Sequence, residues 1–141
     1  MGFTEYQIRV HCDQDAMPRK RILIVEDDAD VRRMFRTALS MAGYDVEEAG
    51  DGVDALRLID NHVPDLVVLD LVLRALDGVS VRQELAARAL TSRIPIVIVT
   101  GSTIDTDALH VACVLRKPVM PDDLVRAVAR CLVHGAPAAG V

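Results

Sequence analysis

The stretch "RILIVEDDADVRRMF", residues 21–35, runs from an apolar segment straight into four acidic residues, Glu26, Asp27, Asp28 and Asp30. Carboxylates repel one another and resist burial. A chain that crowds them at the end of a core strand must place them at a rim, where a cation can neutralise them. "RILIV" (21–25) is nearly continuous in β-branched and aliphatic residues, and so are "LVVLD" (66–70) and "IPIVIV" (94–99). Runs of this kind are expected of parallel strands covered on both faces. "YDVEEA" (44–49) reads as a weaker, edge-like strand and "CVLR" (113–116) as a short fifth one.

Between these runs the period changes. Val31, Met34, Phe35, Ala38, Leu39 and Ala42 follow helical spacing, as do Leu124, Ala127, Val128, Cys131 and Leu132. Less regular helices fit 52–61 and 78–89. Five strands alternating with helices predict an α/β fold with a doubly wound parallel sheet, because parallel neighbours need right-handed crossover connections. Ligands of such sheets bind beyond the carboxyl ends of the strands. The acidic cluster occupies that place after the first strand.

Three more features fall at equivalent places. Asp70 closes the third strand, Thr100 and Gly101 the fourth, and Lys117, in "RKP" (116–118), follows the fifth. Each has an ordinary reading as a helix cap, a turn residue or a solvated lysine, and Asp28 or Asp30 is expected to cap the helix that follows. Together, Glu26, Asp27, Asp70, Thr100 and Lys117 supply the parts for phosphoryl transfer to a carboxylate. Clustered carboxylates suit a hard divalent cation, usually magnesium. A lysine and a hydroxyl can then offset charge on phosphoryl oxygens.

The chain has 141 residues, 51% hydrophobic and 26% charged, enough for one globular domain. Its net charge of −5 and 3% aromatic content argue against direct nucleic-acid binding. Cys12, Cys113 and Cys131 lack metal-ligand spacing and read as small core residues of a reducing, cytoplasmic compartment. His11, His62, His110 and His134 are scattered, and no apolar stretch is long enough to insert in a membrane. Residues 1–19 form an extension, mobile or carrying an accessory strand, since Tyr6, Ile8, Val10 and Cys12 alternate with polar residues; 135–141 read as a tail.

The segments "ILIVEDDADVRRMFRTALSMAGYDVEEAGDGVDAL", "PDLVVLDLVLRALDG", "IPIVIVTGS" and "LRKPVMPDDLVRAV" resemble, in order over residues 20–134, the receiver domain of bacterial two-component response regulators. The resemblance implies a flavodoxin-like (CheY-like) sheet of order 2-1-3-4-5. It also implies a phosphorelay role in which Asp70 accepts a phosphoryl group from a histidine kinase or histidine phosphotransfer protein. Magnesium would be held by Asp27, Asp70 and the backbone carbonyl of Val72, with Glu26 holding its waters. Thr100 and Lys117 would contact the phosphoryl oxygens, and the Lys117–Pro118 bond would be cis. Such a phosphoprotein is not an enzyme with a separate substrate; it supports its own phosphotransfer and slow dephosphorylation.

The sequence departs from the family pattern at several places. Val114 replaces the usual aromatic switch residue, and Leu73 and Arg74 replace a Met-Pro pair. The interval from Thr100 to Lys117 is short, so the helix within it is expected to be short or irregular. With seven residues after His134, signalling is expected to pass through a downstream protein target, and a homodimer is compatible with this reading. A receiver fragment of a hybrid sensor kinase is an alternative. An aspartyl-phosphate phosphohydrolase is another, disfavoured because Val72 stands where such enzymes carry a general acid. A flavin carrier of similar fold lacks its Ser/Thr-rich phosphate loop here.

Overall fold

A computed structural model describes residues 18–73, 78–87, 93–101 and 113–134. It contains β1 (Arg21–Val25), α1 (Ala29–Met41), β2 (Asp45–Ala49), α2 (Gly52–Asn61), β3 (Leu66–Leu69), α3 (Gly78–Ala87), β4 (Ile96–Thr100), β5 (Cys113–Arg116) and α4 (Pro121–His134). All strands pair in parallel in the order β2-β1-β3-β4-β5, the expected doubly wound arrangement. The helix expected between Thr100 and Lys117, the accessory strand near Tyr6, and Cys12, His11, His110 and Arg74 lie outside the described residues.

Strand periodicity divides the core in two. Leu23, Val25, Val67, Leu69, Ile96 and Ile98 pack with Ala55, Ile59 and Leu85 of α2 and α3. Their neighbours Ile22, Ile24, Leu66, Val68, Val97 and Val99 pack on the other side with Phe35 and Leu39 of α1 and Leu124 and Val128 of α4. Alternate side chains of one strand point to opposite faces, so a sheet covered on both sides demands apolar residues at every position. The uninterrupted runs around Ile24, Val68 and Val97 meet that demand.

Strand boundaries differ from expectation by one or two residues, β2 beginning at Asp45 rather than Tyr44. The fourth strand begins at Ile96 rather than Ile94, because Pro95 has no N–H to give to a ladder. Pro95 still contributes its carbonyl, which accepts from Val67 N at 3.1 Å. The strand extends instead through Thr100, which is wholly buried. The third ends at Leu69, leaving Asp70 as the first residue beyond it. Helix α1 starts where expected, with Asp28 as its cap accepting from Asp30 N and Val31 N at 2.9 and 3.1 Å. Among the described residues, no helix is long and apolar enough to cross a membrane.

Gly78 opens α3 against the turn after β3, its N–H donating to Leu71 O at 2.9 Å. A Cβ there would lie 2.2 Å from the Asp70 carbonyl oxygen and 2.4 Å from Leu71 Cα, both backbone atoms that cannot swing away. A Cβ on Gly101 would meet only Lys117 Cβ at 3.9 Å, an ordinary contact, so packing among the described residues does not require that glycine. Gly78→Ala should therefore cost roughly 1–3 kcal/mol in denaturant unfolding and displace the Asp70 amide resonance. Gly101→Ala should leave stability nearly unchanged.

Candidate functional site

The sheet's hydrogen bonding runs one step past the strands and fixes the residues that follow them. Glu26 N donates to Ala49 O, Asp70 N to Val25 O and Lys117 N to Thr100 O, each at 3.0 Å. Side chains from the ends of β1, β3, β4 and β5 are thereby aligned along one rim by main-chain bonds, independently of their own charges. The expected residues Glu26, Asp27, Asp70, Thr100 and Lys117 all stand at this rim.

Lys117 is the centre of the cluster. Its Nζ lies 2.7 Å from Glu26 Oε1 and 3.0 Å from Asp70 Oδ2. The carboxylates are nearly inaccessible, with Glu26 1% and Asp70 6% exposed. Asp70 Oδ1 accepts from Val72 N at 3.0 Å, which turns the chain back under the carboxylate. Glu26 Oε2 accepts from Asp28 N at 3.1 Å. Its other oxygen, although close to the ammonium, has no partner with hydrogen-bond geometry among the described residues. The Lys117–Pro118 peptide bond is cis, as the resemblance implied.

Glu26, Asp27 and Asp70 each present one carboxylate oxygen within 4.8 Å of the others. Among the described residues, these three carboxylates are met by the one ammonium of Lys117, which pairs with Glu26 and Asp70. An oxygen-only donor set with a buried, incompletely bonded oxygen fits a hard divalent cation. The Val72 side chain points to solvent, 59% exposed, beside the mouth of the site.

Burial is the main cause raising the Glu26 pKa, helped by the charge of Asp70 and opposed by Lys117 and the Asp28 N–H. For Lys117, burial pulls downward, but the pairs with Glu26 and Asp70 outweigh it and leave the ammonium above its ordinary value. Asp28 is held below its ordinary value by the N–H groups of Val31 and Asp30.

Arg32 belongs to the site and was not singled out by its sequence. One turn into α1, it donates to Glu26 O at 2.7 Å and approaches Glu48 Oε1 at 3.7 Å, clamping the acidic turn to β2. A Cβ on Gly50 would meet its guanidinium at 3.4 Å. The only signal was a cation following the acidic run, which helix-surface ion pairing explains equally well. Val114, in place of an aromatic, is half-buried and packs against the core on the α2 and α3 side.

The profile described as "Response regulator receiver domain" matches residues 22–129. The chain belongs to this family. A putative response regulator from Chloroflexus aurantiacus J-10-fl is 31% identical and superimposes with a TM-score of 0.76, covering 82% of this chain and 99% of its own. A sensor protein from Polaromonas sp. JS666 is 28% identical with a TM-score of 0.75, covering 83% and 98%. "Response regulator MprA" of Mycobacterium sp. (strain KMS) is 49% identical over 81 residues, 57% of this chain and 34% of the relative. "Probable transcriptional regulator ycf27" of Porphyridium aerugineum is 44% identical over 85 residues, 60% and 34%. The chain thus spans about a third of the length of these curated relatives.

The raised Glu26 pKa has a definite sign. A carboxyl whose folded-state pKa lies above its unfolded value of 4.5 contributes stability below that value and loses it as pH rises through the folded value. In the presence of EDTA, the urea midpoint of Glu26→Gln should therefore gain on that of wild type as pH rises from about 4 to 7. A constant difference between the two would contradict the burial of an ionised Glu26.

Proposed function

We propose that this receiver is a phosphoacceptor switch in which Asp70 takes a phosphoryl group from the phosphohistidine of a histidine kinase or phosphotransfer protein. A carboxylate oxygen of Asp70 attacks phosphorus, the P–N bond breaks, and the imidazole leaves. The reading is carried by the Asp70 carboxylate, held 3.0 Å from the Lys117 ammonium at the rim. Lys117 offsets charge on the transferred group, and the Thr100 hydroxyl, at the end of β4, donates to another of its oxygens.

Glu26, Asp27 and Asp70, with the Val72 carbonyl, are proposed to hold magnesium, which neutralises phosphoryl charge when bound. No separate substrate is turned over. Valine at position 72 has no proton to give, which disfavours a phosphohydrolase. Output passes to a downstream protein target in the cytoplasm; the named relatives include transcriptional regulators, and here that target is a partner of the phosphorylated form.

Incubation with acetyl phosphate and magnesium should add one phosphoryl mass to the intact protein and none to Asp70→Asn. Equal loading of both would end this assignment.

Magnesium binds only the folded rim, so it should raise the melting temperature of the wild type by linkage. The rise should largely vanish in Asp27→Ala; an undiminished shift would remove Asp27 from the metal site.

The exposed Val72 side chain cannot orient a water for in-line attack, whereas a polar one can. After removal of the donor, Val72→Asn should lose its phosphoryl group severalfold faster than wild type, followed by mass. An equal rate would rule out this role for position 72.

A further inference from the structure

Away from the acidic rim, two thiols meet across the junction of β5 and α4. Cys113 opens β5, at the edge of the sheet, and is half-buried. Cys131 lies on the buried face of α4. Both belong to the apolar layer that α1 and α4 form with the sheet, where Cys113 packs against the cluster containing Cys131. The residue beside Cys131 closes the geometry: Arg130 Nη2 donates to Cys113 Sγ at 3.4 Å, so this turn of α4 sits directly over the start of β5. Burial pushes the Cys131 thiol up, and the adjoining Cys113 side chain adds to that.

We propose that Cys113 and Cys131 form a peroxide-responsive thiol pair that closes reversibly into a disulfide. Cys113 is the sulfur that reacts first, because it is the more accessible of the two and accepts from Arg130, which flanks the cleft between β5 and α4. That cleft, of about 280 Å³, is lined by Leu115, Arg116, Pro118, Arg126 and Arg130 among others. The Cys113 sulfur attacks one peroxide oxygen, the O–O bond breaks, and Cys113 becomes a sulfenic acid with release of water. The Cys131 sulfur then attacks the sulfenic sulfur, the S–O bond breaks, and a second water leaves as the disulfide forms. Two thiols are oxidised by two electrons, and one hydrogen peroxide is reduced to two waters.

The ring closed by this bond contains Lys117 and Pro118, so oxidation would tether the segment that carries the site's lysine to the helix beside it. This inference does not depend on whether Asp70 accepts a phosphoryl group. The test uses the whole chain, limited hydrogen peroxide, and intact mass with non-reducing peptide mapping. Wild type and Cys12→Ser should lose the mass of two hydrogens, yield a linked Cys113–Cys131 peptide, melt at a higher temperature, and return to the starting state with dithiothreitol. Cys113→Ser should form no such link, and Cys131→Ser should stop at a sulfenic acid that dimedone traps. Because Cys131→Ser removes a buried side chain, Cys12→Ser and Cys113→Ser decide the matter if it does not fold. Persistence of both alkylatable thiols after peroxide, or a linkage joining Cys113 to Cys12, would overturn the proposal.

Discussion

One ammonium group between two buried carboxylates is the constraint around which this molecule is arranged. Glu26 and Asp70 are almost sealed from water, and burying an unpaired carboxylate costs several kcal/mol, about what separates folded from unfolded for many domains. Lys117, at 2.7 and 3.0 Å, makes the burial tolerable. It comes from the end of β5, three positions along the sheet from β1, which carries Glu26. The contact therefore exists only if the strands assemble in the order β2-β1-β3-β4-β5 with their carboxyl ends aligned. The ladder bonds that continue to Glu26 N, Asp70 N and Lys117 N enforce that alignment. The compensation is incomplete, since burial and the charge of Asp70 still leave the Glu26 carboxyl raised despite the 2.7 Å contact with Lys117. A site left short of positive charge is receptive to a cation.

The parts of this arrangement written locally were open to reading. Strands buried on both faces must be apolar at consecutive positions, so the runs at Ile22–Val25 and Leu66–Leu69 declare themselves. The α1 and α4 stripes do the same at helical spacing, and the acidic cluster sits where a doubly wound sheet binds ligands. What depends on distant pairs was not legible. Arg32 matters because Glu26 O and Glu48 both face it, and their approach follows from the β1–β2 register. Gly78 matters because α3 starts against the Asp70 backbone, a contact no local pattern announces. The start of β4 was misplaced for a related reason: Ile94 and Pro95 are buried and apolar, but only one of proline's two backbone groups can join a ladder.

The two ends of the sheet are built differently, and this bears on how a charge at Asp70 is transmitted. Around β2, the acidic turn is clamped by Arg32 and packed by α1. At the other edge, β5 is short and only half-buried, and its Val114 takes the place of the larger ring common in the family. Lys117 follows this weaker strand directly. On the proposed phosphorylation, new charge on Asp70 would act first on Lys117, 3.0 Å away. Among the described strands β5 alone has no buried residue, so a response is more naturally expressed there than at β2, whose Ala49 is buried. Cys113 and Arg130 lie on this same edge, where chemistry at the surface and chemistry at the rim act on one short segment of chain.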